Sequence, residues 1–327
     1  MAVGNSLAKR NQNQQASGLT AYLAKDAVRN QINSVVGGKN GPRFISSIVS
    51  AVQVNPALQE CTNSSIVSAA LLGESLNLSP SPQLGQYYMV PYDNRSKGAK
   101  EAQFQLGYKG YIQLAIRSGQ YKKLNVLAIK EGELVRFDPL NEEIEVRLIE
   151  DEELREEAPT VGYYAMFEYT NGFRKALYWS KRKMLAHADK FSKAFSVGET
   201  TIKTRYGEKK KVSFADYEAG NYAKEDEWMY SSFWYKDFDG MAYKTMLRQL
   251  ISKWGIMSIE LQSAINADMA VVHEDGAMDY VDNGPEDVYT DYTVTEPNNS
   301  DQPAEEAEQA TKEDAAPADN VEADFFN

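Results

Sequence analysis

The chain has 327 residues, 43% of them hydrophobic and 11% aromatic, which suits one large domain or two small ones around a buried core. No stretch approaches the roughly 20 apolar residues that a membrane-spanning helix needs, and the N-terminal MAVGNSLAKRNQNQQ has no apolar run of signal-peptide type, so a cytoplasmic protein with no membrane partner is expected. The single cysteine, Cys61, excludes a disulfide within the chain and a cysteine-built zinc site, and two histidines, His187 and His273, exclude a His-rich metal centre.

The formal net charge of −12 conceals a segregation. Residues 271–327 carry 17 acidic side chains against Lys312, which leaves residues 1–270 at +4. The run Asp138–Glu157 holds ten acids against Arg147 and Arg155, so the rest of the body carries about +12. A basic body with an acidic tail suggests a polyanion partner and a tail that competes for the same surface; a tail that only adds solubility is the plainer alternative. Three segments follow: a polar disordered arm over 1–18, an ordered core over 19–270, and a disordered acidic tail over 271–327. The tail is too poor in large aliphatic residues to fold alone, and it ends in Phe325-Phe326, the form of a docking peptide.

In chain order, the first part of the core reads as helices over Leu19–Val36, from Gly41-Pro42 to Val54, and over Ser65–Leu76 with Asn63 or Ser64 as cap, stopped by Ser79-Pro80-Ser81-Pro82. Aromatic-rich alternation then predicts strands over Leu84–Tyr92 and Ala102–Tyr108, with a short helix Gly110–Arg117 closed by Ser118-Gly119. Strands follow over Tyr121–Lys130, Glu133–Asp138, Glu143–Ile149, Thr160–Tyr169 and Phe173–Trp179, with Asn171-Gly172 as a hairpin turn. Strands in series without helices between them argue an α+β fold around an antiparallel sheet. Ser180 is placed to cap a helix Lys181–Phe195, a polar insertion fills 196–220, and a last helix Gly240–Trp254 carries an apolar stripe that includes Trp254.

Phosphate-binding and hydrolytic patterns are weak. Gly37-Gly38-Lys39-Asn40 lacks the earlier glycine of a P-loop, where Asn33 stands, and Asn40 has no hydroxyl for magnesium. No cofactor is implied, although magnesium is compatible with the sequence. Cys61 has no histidine near it in sequence, and His187 stands among lysines. Asp237 and Asp239, two apart before the last helix, could hold magnesium in a nuclease, or one of them could cap that helix. The richest signal is cations interleaved with aromatics: Tyr108-Lys109-Gly110-Tyr111, then Arg117, Tyr121, Lys122 and Lys123; Lys181, Arg182, Lys183, Lys190 and Lys193 on one helix; nine aromatics within 217–243; and Lys244 and Arg248 opposite Met246 and Leu250. That mixture suits single-stranded nucleic acid, where cations track phosphates and rings stack on bases. Aromatics are also ordinary core residues, and a basic face meeting an acidic protein would give a scaffold instead.

Four stretches carry a more specific signal: LNLSPSPQLGQYYMVPY (76–92), FQLGYKGYIQLAIRSGQYKKLNVLAIKEGE (104–133), SKRKMLAHADKF (180–191) and WYKDFDGMAYKTMLRQLISKWGIMS (234–258). In this order the chain resembles the RecT family of phage single-strand annealing proteins over about residues 25–270. The resemblance implies ATP-independent binding of single-stranded DNA and annealing of complementary strands into duplex for homologous recombination. It also implies a homo-oligomeric ring or filament, a partner exonuclease, a bacterial host cytoplasm, and a core related to the Rad52-like annealers. The aromatic-tipped tail is similar to those of bacterial single-strand binding proteins, which suggests a replication partner. Carried onto this sequence, the DNA groove falls on Lys109, Tyr111, Arg117, Lys122, Lys123, Lys181, Lys183, Lys190, Lys244, Arg248 and Lys253, with no catalytic residue and Asp239 as a helix cap.

Overall fold

The computed structural model describes residues 18–94, 97–204 and 207–280. The arm before Gly18, Arg205, and the tail beyond Tyr280 with its Phe325-Phe326 tip lie outside the described residues.

Four helices open the chain: α1 (Leu19–Leu23), α2 (Asp26–Val36), α3 (Gly41–Val54) and α4 (Asn63–Ser75). α2 and α3 are amphipathic and bury Val28 and Ile32, and Phe44, Ile48, Ala51 and Val52, at helical spacing. Pro42 occupies the first turn of α3, where its missing N–H costs nothing. α4 is buried on nearly every side, and its cap position is Thr62 where Asn63 or Ser64 was expected. Gly73 lets α4 close on β1, since a Cβ there would meet the Tyr87 ring at 2.3 Å.

The middle alternates hairpins and short helices. β1 (Tyr87–Asn94) and β2 (Ala99–Leu106) pair antiparallel with Tyr87 opposite Leu106, and α5 (Tyr108–Arg117) follows. β3 (Tyr121–Lys130), β4 (Leu134–Asp138), β5 (Glu143–Val146) and α6 (Glu152–Glu157) lead to β6 (Thr160–Tyr169) and β7 (Arg174–Ser180). The acidic run is thus partly a hairpin and partly a helix. It is tied down by Glu133, whose carboxylate takes Arg155 Nε at 2.6 Å and the Lys130 and Ile149 amides. Burial pushes the Glu133 carboxyl up, but these donors outweigh it and hold it below the usual glutamate range.

The last part holds α7 (Lys181–Phe191), the hairpin β8 (Thr200–Thr204) and β9 (Gly207–Lys211), α8 (Phe214–Glu218), α9 (Phe233–Lys236), α10 (Phe238–Trp254), α11 (Ile259–Ala267), β10 (Ala270–Val272) and β11 (Met278–Tyr280). Ser180 caps α7 by accepting from the Lys183 amide. The insertion expected over 196–220 contains the β8–β9 hairpin. Past residue 270, β10 inserts between β2 and β11, with Ala270 opposite both Phe104 and Tyr280. The resulting sheet runs β1-β2-β10-β11, and a second runs β3-β6-β7. β1 lies at an edge, which is where its Pro91 is tolerated.

Two main cores result. One joins α2–α4 to β1, β2, β10 and α11; the other fills the space between the inner face of β6 and α7–α10. α10 serves both. Leu247 and Ile251 enter the first, Ala242, Met246 and Leu250 the second, two stripes on one helix at i, i+4 spacing.

Candidate nucleic-acid interface

The expected site residues fall into four places. The first is a cleft where α5 meets the segment ahead of β1 and the start of α10, lined among others by Tyr88, Gly107, Tyr108, Phe233, Met241 and Lys244. Its walls touch closely because they are glycine. A Cβ on Gly107 would stand 2.1 Å from the Gly85 carbonyl oxygen, and one on Gly110 would stand 2.2 Å from that of Gln86. Tyr88 and Phe233 rings lie 5.5 Å apart across it, and Tyr108 meets Tyr243 edge-on at 5.5 Å. The Lys109 ammonium is exposed at the mouth, 5.9 Å from the Tyr108 ring. Burial, with Asp237 nearby, raises the Tyr88 phenol. Three of the four stretches quoted above supply this cleft.

The second place is α7. Lys190 is exposed, while Lys181 and Lys183 are half-buried. Lys181 reaches Glu218 at 3.1 Å, Lys183 lies 4.6 Å from the Trp179 ring, and Lys190 lies 5.2 Å from the Phe191 ring. His187 faces inward between Trp179 and Phe191; burial, and then Arg248, Lys190 and Lys183, push it down to about 4. The helix thus presents lysines to one side and a neutral imidazole to the other.

The third place is the end of α10 against the start of β3. Lys122 and Lys123 are exposed and share Glu168, at 2.5 and 3.6 Å. Lys253 is exposed beside Trp254. Arg117, at the end of α5, is exposed but donates to the Leu76 and Asn77 carbonyls at 2.6 Å each, so it also closes the end of α4.

The fourth place is the interior, and it holds three of the expected contacts. Tyr111 has no exposed surface and belongs to the first core, so its ring cannot stack on a base without opening that core. Lys244 and Arg248 are 7% and 5% exposed. Both meet one carboxylate, Asp268, at 2.8 and 3.0 Å, and that carboxylate also accepts from the Leu106 amide. Asp268 follows the last turn of α11 and is 3% exposed, so this knot ties α10 to α11 and β2 from inside. Placing two cations four apart on one helix indicated a surface; the partner that draws them inward sits 24 and 20 residues further on.

The two acids of the nuclease alternative are also engaged by protein donors. Asp237 caps α10 by accepting from the Gly240 amide at 3.0 Å, and Asp239 accepts from the Tyr163 hydroxyl at 2.6 Å. The cap is therefore Asp237, not Asp239. Among the described residues no cluster of three or more metal-ligating side chains occurs, and no helix is long and apolar enough to cross a membrane. Lys175, Phe173, Trp254 and Tyr88 are surface or cleft groups that pattern reading did not single out as sites. Their signal was present only as aromatic and basic composition.

An α+β body of antiparallel sheets and helices, with cations gathered among aromatic rings at its surface, is the build of a polyanion-binding protein. The chain belongs to the RecT family, whose model matches residues 42–282, and this is a family of DNA-binding recombination and strand-annealing proteins. It is 34% identical over 314 residues to an uncharacterized protein, YqaK, of Bacillus subtilis, covering 95% of this chain and 92% of that one. It is 28% identical over 228 residues to the protein RecT of Escherichia coli, covering 69% of this chain and 70% of the other.

Proposed function

We propose that this protein binds single-stranded DNA without ATP and anneals it to a complementary strand. The observation that carries this reading is a family match spanning most of the ordered body, together with three family-resembling stretches converging on one ring-lined cleft. Lys109, Arg117, Lys122, Lys123, Lys181, Lys183, Lys190 and Lys253 hold the backbone of the first strand. Neutralising its phosphates removes the repulsion that slows pairing, and base pairing alone supplies sequence specificity. Tyr111, Lys244 and Arg248 act beneath that surface by holding its shape.

Protomers align into a ring or filament so that their basic surfaces are continuous. A phage exonuclease supplies the single strands in the cytoplasm of a bacterial host. The acidic segment beyond residue 280 competes with DNA at low salt and offers Phe325-Phe326 to a host replication factor. Two complementary fluorescent oligonucleotides, mixed without nucleotide cofactor, test the reading. Accelerated annealing at stoichiometric protein, abolished by high salt, is expected. Metal-dependent shortening of the strands would turn the argument to Asp237 and Asp239, and intact unannealed strands would leave a scaffold.

A further inference from the structure

We propose that Trp254 is the ring on which this protein stacks a base of single-stranded nucleic acid, with Lys175 and Lys253 holding the flanking phosphates. The inference rests on the single-strand-binding reading above and assigns to it a residue that the apolar stripe of α10 had placed in the core.

Exposure is the first reason. Trp179 and Trp234 are 3% and 5% exposed, whereas Trp254 is 43% exposed at the end of a helix that is otherwise largely buried. The mount is the second. A Cβ on Gly255 would stand 2.5 Å from the Ile251 carbonyl oxygen and 2.8 Å from the Tyr121 hydroxyl, so only glycine lets the chain press this closely onto the sheet. Tyr169 donates its hydroxyl to the Trp254 carbonyl at 3.1 Å and accepts from the Ile256 amide, while Tyr121 donates to the Ile256 carbonyl at 3.0 Å. Tyrosines from two neighbouring strands therefore clamp the backbone from Trp254 to Ile256. A ring held on a fixed backbone loses little freedom when a ligand settles on it.

Charge is the third reason, and it selects the ligand. The Lys175 ammonium lies 3.8 Å from the Trp254 ring centroid and that of Lys253 lies 5.6 Å away. Half-exposed Phe173 stacks on Tyr169 at 5.7 Å, next to the same clamp, and Ile256 is 47% exposed. A half-exposed ring with one ammonium over its face and a second close by suits a base with its flanking phosphates better than an apolar peptide. Lys175 already holds an anion, the carboxylate of Glu142, which a phosphate would replace. The other exposed tryptophan makes the contrast. Trp228 is 53% exposed but follows Glu225, Asp226 and Glu227, three acidic side chains in sequence that disfavour a phosphate there.

Binding of the full-length protein to a fluorescein-labelled oligothymidylate tests this, alongside intrinsic tryptophan fluorescence. Trp254→Ala should weaken binding roughly 5- to 150-fold, the range of one lost base stack, without changing the salt slope. Trp254→Phe should recover part of the loss, and Trp228→Ala should bind like wild type. In a Trp228→Phe background DNA should quench the remaining emission, and adding Trp254→Phe should remove that quenching; this arm holds even if the alanine variant does not fold. Wild-type affinity in a folded Trp254→Ala variant, or quenching that survives Trp254→Phe, overturns the proposal. So does a Trp254→Ala defect that proves to be dissociation of oligomers, which would assign the ring to a contact between copies. Failure of the wild-type protein to bind single strands would instead overturn the function on which the proposal rests.

Discussion

Lys244 and Lys253 lie on the same helix, and their fates are opposite. Lys244 is 7% exposed and bonded to Asp268 together with Arg248, while Lys253, little more than two turns further on, is exposed beside Trp254. Both came from one basic stretch and both read as DNA contacts. What separates them is a carboxylate brought in by another helix, and the lesson is that a cation's role is set by the anion the fold delivers to it. A buried cation pair sharing one carboxylate is costly to disturb, because removing the anion leaves desolvated positive charge behind.

The largest expected effect breaks the comparison at that knot. Asp268→Asn keeps the volume and can still accept from the Leu106 amide, but it removes the charge facing Lys244 and Arg248. We expect a loss of about 3–5 kcal/mol in denaturant unfolding at neutral pH. A change under about 1 kcal/mol would show that the two cations are held by other means. Lys253→Ala, by contrast, should leave stability within about 0.5 kcal/mol.

The same split between interior and rim runs through α7, where His187 faces in and Lys190 faces out. His187 is held near 4 in the folded protein against an ordinary value of about 6.5 in the unfolded chain. Between those values the unfolded chain binds the extra proton, so stability falls as the pH falls through this window, by roughly 1.4 kcal/mol per unit. Unfolding at pH 6.5 and pH 5 should differ by roughly 2 kcal/mol from this residue, and His187→Phe should flatten that portion of the profile. An unchanged acid dependence in that variant would mean the imidazole is protonated where it sits.

Pattern reading reached what local sequence determines. β3 and β6 stand at Tyr121–Lys130 and Thr160–Tyr169 as expected, Asn171-Gly172 turns the next hairpin, with Gly172 at φ +87°, and Ser180 caps α7. These features depend on alternation, turn chemistry and capping within a few residues. β8 and β9 escaped because TTIKT and GEKKK have no apolar alternation; Ile202 of β8 and Val212 just past β9 pack against the second core. β10 and β11 escaped because three-residue strands inside an acidic stretch carry little local signal; β2, which pairs with β10, lies more than 160 residues earlier, and β11 is held only through β10. The site shows the same division. Basic and aromatic composition pointed to a polyanion, but burial of Tyr111, the Asp268 knot and the clamp on Trp254 each need two or more distant segments brought together.

The smallest expected effect sharpens the comparison at the rim. Lys122 and Lys123, both well exposed, share Glu168, which is 17% exposed at its side chain. Their hydrogen bonds and charges hold its carboxyl below the usual glutamate range. Unlike Asp268, Glu168 stands where water and salt reach it, so its pairs are weak and exchange readily. A DNA phosphate arriving there would substitute for the carboxylate at little cost. Glu168→Gln should therefore tighten single-strand binding by up to about fivefold at low salt, with the gain vanishing as salt rises. Lys122→Ala should do the reverse and make the dependence of log affinity on log salt shallower by about 0.7, the share of one phosphate on a single strand. If Glu168→Gln left affinity unchanged while Lys253→Ala lowered it, the strand would pass along the end of α10 without crossing the start of β3.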